Sequence, residues 1–249
     1  MSLDAIFIMA LATLMIGLSK GGLGGPVPIS LIAPLLSQIM PVPQAVGITL
    51  PLLLFADIFA LRTYWGTWDK RYIRLMLPIA VLGVVMGTWV LATLPDLALR
   101  RVLGVFTLSA VLYKIASGSL KALAYSPRDW HAYVAGWASG FGSAVANVGA
   151  PPFTAYMLLQ KIDPTPFIGT TTLFFAVVNA LKLPGFLLAG TIDVHQLIGV
   201  AWTLPIIPFG VWLGRKALQW INPRLFEWLM LSLLLWASLT LIFSVPPVR

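Results

Sequence analysis

The apolar positions of this chain form long continuous runs, which short clusters of proline, glycine and charged residues separate. The run from Leu75 to Leu94 is representative, because it holds no charged residue and shows no alternation of apolar and polar positions. A membrane-spanning helix needs roughly 20 mostly apolar residues, whereas the strands of an outer-membrane barrel alternate. The pattern therefore predicts an all-α integral membrane protein.

We predict about 8–10 helical segments from these runs. Their approximate bounds are 3–19, 27–39, 45–64, 72–94, 97–117, 130–146, 152–161, 166–188, 194–218 and 223–244. Segments 27–39 and 152–161 are too short to cross a bilayer comfortably, and each follows a break rich in small residues. These two segments either cross the membrane as broken helices or re-enter it, and the sequence leaves both possibilities open.

Composition supports the membrane prediction, since 59% of the residues are hydrophobic and 10% are charged. A soluble domain has about 45–50% apolar and about 25% charged residues. The net charge of +8 does not indicate nucleic-acid binding, because lysine and arginine lie mainly at the ends of apolar runs, as orientation signals do. Cysteine is absent, which excludes thiolate metal sites and disulfides. We expect a multi-pass protein of the cell (inner) membrane without a cofactor.

The two halves of the chain share an ordered set of short matches, which predicts a duplication. The first match pairs four residues at identical spacing: Gly17, Pro28, Pro41 and Pro43 with Gly140, Pro151, Pro164 and Pro166. Three shorter matches follow in the same order: Gly66 to Asp69 with Gly190 to Asp193, Leu77 to Ile79 with Leu204 to Ile206, and the pair Gly83 and Gly87 with Gly210 and Gly214. We assign residues 1–117 to a first membrane repeat, 118–129 to a linker and 130–249 to a second repeat.

Two of the repeated motifs have structural interpretations. Gly-x-x-x-Gly lets helix backbones approach closely, so we expect Gly83, Gly87, Gly210 and Gly214 to pack against neighbouring helices. The Gly-Thr-x-Asp motifs are typical of interfacial turns or helix caps, because an aspartate accepts hydrogen bonds from free helix N–H groups.

The distribution of charge predicts that the repeats are inverted. Lys70 and Arg71 follow the third segment, whereas the matching loop from Ala189 to His195 has neither lysine nor arginine. The positive-inside rule places the first loop inside and the second outside. Five segments per half, or three crossings and a re-entrant hairpin, both produce this inversion and put both termini outside. Arg100 and Arg101 do not fit, unless they snorkel at the outer end.

Inverted repeats with interrupted helices are the usual construction of secondary transporters, whose substrate sites lie near the midplane at the interruptions. Each short segment here begins after a small-residue break that ends in proline, at Pro26 and Pro151. A helix N-terminus attracts anions through free N–H groups and the macrodipole, and glycine admits a ligand close to the backbone. Two such ends would form an anion-binding cradle.

Polar residues near the two breaks are the candidate site. The predicted substrate-binding residues are Lys20, Gly21, Gly22, Gly24, Gly25, Thr49, Ser143, Asn147, Gly149, Thr170, Thr171, Asn179 and Lys182. Lysine within a membrane segment is energetically costly and indicates function by default. The alternative for Lys20 is an orientation charge at the interface. The alternative for Lys182 is a snorkelling side chain. The threonines either bind an oxyanion or bond their own helix backbone. Asp57 pairs with Lys20 or Lys182, or carries a coupling proton or ion.

Other functions lack their characteristic residues. The chain has no Gly-x-x-x-x-Gly-Lys-Ser/Thr phosphate-binding loop, so a gradient or an external ATPase would drive transport. No nucleophile–base or paired-carboxylate arrangement is visible, and we do not expect an enzyme. His131 and His195 begin segments and are interpreted as interfacial rather than metal-binding.

At these motifs the chain resembles the sulfite exporter TauE/SafE family of permeases. The resemblance rests on Gly21 to Pro28, Ala45 to Thr49, Gly66 to Asp69 and Gly83 to Gly87, and on Gly140 to Pro151, Ile168 to Asn179, Gly190 to Asp193 and Gly210 to Gly214. It implies transport, with export the expected direction, of sulfite, a sulfonate, sulfoacetate or a related small sulfur-containing or organic anion; the sequence leaves export and import both open. The second break departs from the family pattern, because Asn147 to Ala150 stands where a run of glycines is usual, so anion contacts there are expected to involve the Asn147 side chain.

Two hypotheses follow. The first is a secondary anion transporter that works by alternating access between the two repeats. The second is a non-transporting membrane scaffold or assembly subunit, which would co-purify with a partner and show no flux alone.

Overall fold

A computed structural model of the chain describes residues 3–21, 23, 27–120, 128–160, 162–192, 194–217 and 223–244. These residues form eleven α-helices, one short 3₁₀ helix and connecting turns, which confirms the all-α prediction. The helices are α1 (Leu3–Lys20), α2 (Val27–Leu36), α3 (Val42–Thr63), α4 (Lys70–Thr93), α5 (Asp96–Leu120), α6 (Asp129–Ala146), α7 (Ala150–Leu158), α8 (Pro164–Leu188), α9 (Val194–Val200), α10 (Ile206–Ala217) and α11 (Pro223–Ile242).

Several of these helices are suited to a bilayer by length and composition. Within the described residues four helical stretches are long and apolar enough to cross a membrane: Val42–Thr63, Lys70–Thr93, Pro164–Leu188 and Leu197–Gly214. Shorter apolar helices cover Ile6–Lys20 and Trp228–Ile242. Helices α2 and α7 have 10 and 9 residues, so the two predicted short segments are indeed too short to span a bilayer as straight helices.

The structure differs from the approximate predicted bounds in two places. The ninth segment, 194–218, was expected to be continuous, but a 3₁₀ helix (Ala201–Thr203) divides it into α9 and α10. The division falls next to Pro205, which has no backbone N–H and clashes with the preceding turn of a continuing helix. Helix α5 also continues to Leu120, into the predicted linker. Lys121 lies outside the described residues.

Two pairs of helices pack at unusually short distance, α1 with α10 and α4 with α6. A Cβ atom on Gly83 would lie 2.2 Å from the carbonyl oxygen of Trp137, and one on Gly210 would lie 3.0 Å from Cα of Gly17. Only glycine permits this approach of the two backbones. The same holds for Gly87 against α6 and for Gly214 against α1, so the predicted packing role of the Gly-x-x-x-Gly motifs is confirmed.

The repeated Gly-Thr-x-Asp motif forms a turn after α3 and another after α8. Gly66 and Gly190 have φ angles of +76° and +65°, a conformation that glycine adopts without strain. Asp69 caps α4, because its side chain accepts a hydrogen bond of 2.7 Å from the backbone N–H of Arg71. The predicted capping role is thus confirmed for Asp69, whereas Asp193 lies outside the described residues.

The structure also gives Arg100 defined partners instead of a snorkelling role. Its guanidinium donates to Asp96 one turn earlier, at 2.7 Å, and lies 3.4 Å from the carbonyl oxygen of Met40. Asp96 in turn accepts a hydrogen bond of 2.8 Å from the backbone N–H of Val42. Arg100 therefore fixes the start of α5 against the connection between α2 and α3.

Candidate functional site

A cavity of about 260 Å³ lies where α1 and α3 meet α6, α7 and α8. Its wall combines apolar side chains with a few polar ones and one charged one. The lining residues are Ser19, Lys20, Ile29, Leu53, Ala60, Tyr64, Ser143, Asn147, Gly149, Ala150, Phe167, Ile168, Thr171, Thr172, Phe175 and Asn179. Six predicted site residues are among them: Lys20, Ser143, Asn147, Gly149, Thr171 and Asn179. An apolar pocket with a few convergent polar groups is typical of a small-molecule site.

One wall of the cavity holds an ion pair between Lys20 and Asp57. Lys20 lies in the last turn of α1, where its charge also complements the helix dipole. The second carboxylate oxygen of Asp57 accepts a hydrogen bond of 2.7 Å from the side-chain amide of Asn179. The side chain of Lys20 is 13% exposed and that of Asp57 is 3% exposed, so the carboxylate lies behind its two partners.

One turn after Asn179 on α8, Lys182 is completely buried. Its ammonium group donates to Asn147 Oδ1 at 2.8 Å and lies 3.2 Å from both the carbonyl oxygen and the Oγ of Ser143. The ring of Phe186 lies 6.0 Å away. No carboxylate of the described chain forms an ion pair with Lys182. Its oxygen partners are therefore all neutral, which is an unusual setting for a buried ammonium group.

Helical periodicity places these groups in the wall. On α3, Leu53, Asp57, Ala60 and Tyr64 follow a spacing of four, three and four residues, which is one face of a helix. On α8, Ile168, Phe175, Asn179 and Lys182 follow the same kind of stripe. Helices α3 and α8 pack against each other, so the two stripes meet at the cavity.

The break between α6 and α7 supplies the remaining polar wall. Asn147 ends α6 with a φ angle of +55°, and the backbone N–H of Val148 bonds back to the carbonyl oxygen of Gly142 at 3.0 Å. This left-handed residue turns the chain so that α7 can begin at Ala150, beside the cavity. The amide nitrogen Nδ2 of Asn147 is buried and has no hydrogen-bond partner among the described residues.

Two of the predicted glycines serve packing. A Cβ on Gly149 would lie 2.4 Å from the carbonyl oxygen of Ser139, and one on Gly21 would lie 2.5 Å from that of Val211. The space beside each glycine is thus filled by a neighbouring helix rather than left for a ligand. Gly149 also lines the cavity, whereas Gly21 is not among the lining residues. Gly22, Gly24 and Gly25 lie outside the described residues.

The predicted threonines differ in position. Thr49 is buried and donates to the carbonyl oxygen of Ala45 at 2.7 Å, away from the cavity lining. Thr170 donates to Pro166 and accepts from the backbone N–H of Asp69 at 2.8 Å, so it ties α8 to the turn before α4. Thr171 lines the cavity, although its hydroxyl already donates to its own helix at 2.8 Å.

Sequence reasoning missed Tyr64 and Phe175 as wall residues. Tyrosine is commonest at the membrane interface and phenylalanine in apolar packing, so neither residue type indicates a binding site by itself. Their spacing from predicted site residues could have identified them. Tyr64 follows Asp57 by seven residues and Phe175 precedes Asn179 by four, so each lies on the same helix face as a predicted polar residue. No group of three or more potential metal ligands occurs in the described part of the chain, and His131 instead accepts from the backbone N–H of Arg128 at the start of α6.

The charges around the cavity favour an anion. Lys20 and Lys182 supply two positive charges when protonated, and Asp57 supplies one negative charge. Lys20 is the one charged residue in the described lining. The beginning of α7 adds the positive end of a helix dipole. A small oxyanion with a few waters fits this volume and these donors.

Comparison with known proteins gives a single result that bears on this site. A search of curated proteins and a search of solved structures returned no match. The family model described as "Sulfite exporter TauE/SafE" matches residues 8–241, which is nearly the whole chain and includes every described residue of the cavity wall. The chain therefore belongs to the sulfite exporter TauE/SafE family, a family of multi-pass membrane transporters rather than enzymes, as its resemblance to that family indicated.

Proposed function

We propose that this protein is a secondary transporter of the cell inner membrane that exports a small anion, such as sulfite, a sulfonate or a related sulfur-containing or organic anion. The observation that carries the proposal is Lys182, a completely buried lysine whose described partners are neutral oxygens. A buried charge without a counter-charge is strongly destabilising. A bound anion would supply the missing charge.

The groups around Lys182 support the same conclusion. Asn147 and Ser143 contact Lys182 and also line the cavity, so they connect the buried ammonium group with the space that a ligand can occupy. The unpartnered Nδ2 of Asn147 is a donor available to an oxyanion. Lys20 also lines the cavity and can exchange part of its contact with Asp57 for the ligand.

Helix packing supports the proposed duplication. Gly17 of α1 approaches the carbonyl oxygen of Ile207, and Gly140 of α6 approaches that of Ala80. In the repeat, Gly17 corresponds to Gly140, and the residue two after Pro78 corresponds to the residue two after Pro205. The same contact is therefore made twice, each time between the two halves, which is the arrangement expected for interlocked repeats.

The cavity lining also suggests an access state. On α8 the lining extends from Asn179 back to Phe167, near the end of the helix that adjoins the turn containing Asp69. The positive-inside rule predicts that this turn lies on the inner side. Towards the other end of α3, Gly47 lies against the carbonyl oxygen of Thr191 so closely that no side chain would fit. We interpret the conformation as inward-facing, with closure at the outer side, as alternating access requires.

Asp57 is the candidate for coupling to a proton or another cation. Protonation of its carboxylate would remove the charge that holds Lys20 and would leave the bond from Asn179 as its remaining described contact. Lys20 would then be available to the anion. This scheme links one buried carboxylate to the charge of the binding site without any further group.

The proposal is tested by flux measurements in proteoliposomes with sulfite, methanesulfonate and sulfoacetate. We expect Lys20→Ala to reduce the flux of the transported anion, whereas Lys216→Ala, an exposed lysine over Trp212 outside the cavity, should preserve it. Equal flux in the two variants would remove Lys20 from the site. Absence of flux from the unaltered protein with all three anions would contradict anion transport and favour a scaffold.

The inverted topology has a separate test, since the chain has no natural cysteine. Single cysteines at Trp65 and Leu188, which are 72% and 91% exposed, mark the turns after α3 and α8. A membrane-impermeant maleimide should label these two positions from opposite sides of the membrane. Labelling of both from one side would exclude the inverted arrangement.

A further inference from the structure

We infer that the site selects singly charged anions over doubly charged ones and that Asp57 sets this preference. The inference rests on the proposed function, since it concerns the same cavity, and it specifies the charge class of the substrate. Asp57 is not itself among the residues that line the cavity. It acts through Lys20 and Asn179, which contact its two carboxylate oxygens and do line the cavity.

The selection follows from the number of charges. Lys20 and Asp57 form an ion pair and cancel, so Lys182, when it is protonated, supplies the one positive charge of this cluster that has no carboxylate in direct contact among the described residues. A monoanion beside Lys182 makes the filled site neutral. A dianion leaves an excess negative charge next to Asp57, whose side chain is only 3% exposed.

Burial makes this difference large. Lys182 is completely buried, and Asn179 and Asn147 are 4% and 6% exposed, so water screens the cluster poorly. Because Lys20 and Asp57 cancel, the second charge of a dianion has no counter-charge in this cluster, and burial of one unpaired charge lowers a binding constant on the order of 100-fold. The neutral donors of the wall do not distinguish the two classes, because an amide or a hydroxyl donates equally well to both.

Methanesulfonate and sulfate are matched probes for this inference. Both are tetrahedral sulfur oxyanions, with one and two charges respectively at neutral pH. We expect isothermal titration calorimetry of the purified protein at one fixed pH to show methanesulfonate binding on the order of 100-fold more tightly than sulfate. This ratio in the unaltered protein is the primary measurement and requires no variant to fold.

Asp57→Asn tests the residue assignment. Asparagine has the same shape and removes the negative charge, so sulfate should gain affinity relative to methanesulfonate and the ratio should fall at least tenfold. The matched control is Asp129→Asn, which also replaces a carboxylate by an amide but lies in an exposed ion pair with Arg71. The control should keep the ratio of the unaltered protein. A purely structural role of Asp57 would lower both affinities together and leave the ratio unchanged.

The possible results distinguish a failure of charge selection from a failure of the proposed anion transport. Comparable affinities for the two probes, or tighter sulfate binding, would overturn charge selection while leaving anion transport intact. Selection that persists in Asp57→Asn would overturn the role of Asp57. Binding of neither methanesulfonate nor sulfate nor sulfite would contradict the proposed function itself.

Discussion

Replacement of Lys182 by methionine separates the binding role of this residue from a structural one. Methionine keeps a linear side chain of similar length but removes the ammonium group and its three contacts, at 2.8, 3.2 and 3.2 Å. The carbonyl oxygen of Ser143 retains a partner, because it also accepts from the backbone N–H of Asn147 at 3.1 Å. Asn147 Oδ1 and Ser143 Oγ lose the donor that Lys182 provided.

The effect on stability is the difference between two opposing contributions. Two buried polar atoms without their donor destabilise the fold by about 1–3 kcal/mol each. Removal of a completely buried charge stabilises it by several kcal/mol, because the ion no longer has to be taken from water. We therefore expect a net change in the free energy of unfolding of at most about 2 kcal/mol in either direction, together with a loss of anion affinity on the order of 100-fold.

Thermal unfolding in detergent and calorimetric titration with methanesulfonate measure the two effects on the same samples. Lys216→Met is the matched control, because it removes an exposed lysine that contacts Trp212. The reasoning would be refuted by a Lys182→Met protein that binds the anion within about twofold of the control. A large loss of stability with unchanged affinity in the remaining folded protein would show that Lys182 supports the fold alone.

Two further predictions concern the framework of the site. Gly83→Ala should lower the free energy of unfolding by about 1–3 kcal/mol, because the new Cβ meets backbone atoms of α6 that cannot rotate away. Gly199→Ala is the control, because its Cβ would meet no atom within 4 Å. The melting temperature of this control should equal or slightly exceed that of the unaltered protein. Asp69→Ala should lower the free energy of unfolding by about 0.5–2 kcal/mol, because α4 loses its N-cap. Asp69→Asn should retain most of that stability, since asparagine also caps helices. A melting temperature unchanged in Asp69→Ala would contradict the capping role.

Much of this fold is predictable because its determinants are local. Continuous apolar runs define most of the helices, and proline with small residues marks the breaks before α2 and α7. The packing role of the glycine motifs was also predictable from the sequence, because glycines four residues apart on a helix have few roles other than close packing. The structure divides segment 194–218, which was expected to be one helix. Its continuity depends on how far one proline disturbs the helix, and the packing of neighbouring helices determines that disturbance.

The site was less predictable because its contacts join residues distant in the chain. The sequence offered Asp57 two lysine partners, and only the packing of α1 against α3 selects Lys20. It likewise offered three threonines, Thr49, Thr170 and Thr171, of which Thr171 alone lines the described cavity. Helical periodicity narrows such choices to a face, but the partner of that face is a tertiary property.

The two lysines connect helices that we expect to move relative to each other under the proposed alternating access. Rigid contacts between backbones hold α1 to α10 and α6 to α4, so we expect each pair to move as a unit. Lys20 joins α1 to Asp57 of α3, and Lys182 joins α8 to Ser143 and Asn147 of α6.

An anion that draws either ammonium group away from its protein partner weakens one of these connections, so binding and movement share the same contacts. A transporter needs this property, since a ligand shifts a conformational equilibrium only by as much as its affinity differs between the two states. We therefore propose that substrate replaces the contacts of the ion pair and of the buried lysine, and does not sit in a fixed cage between them.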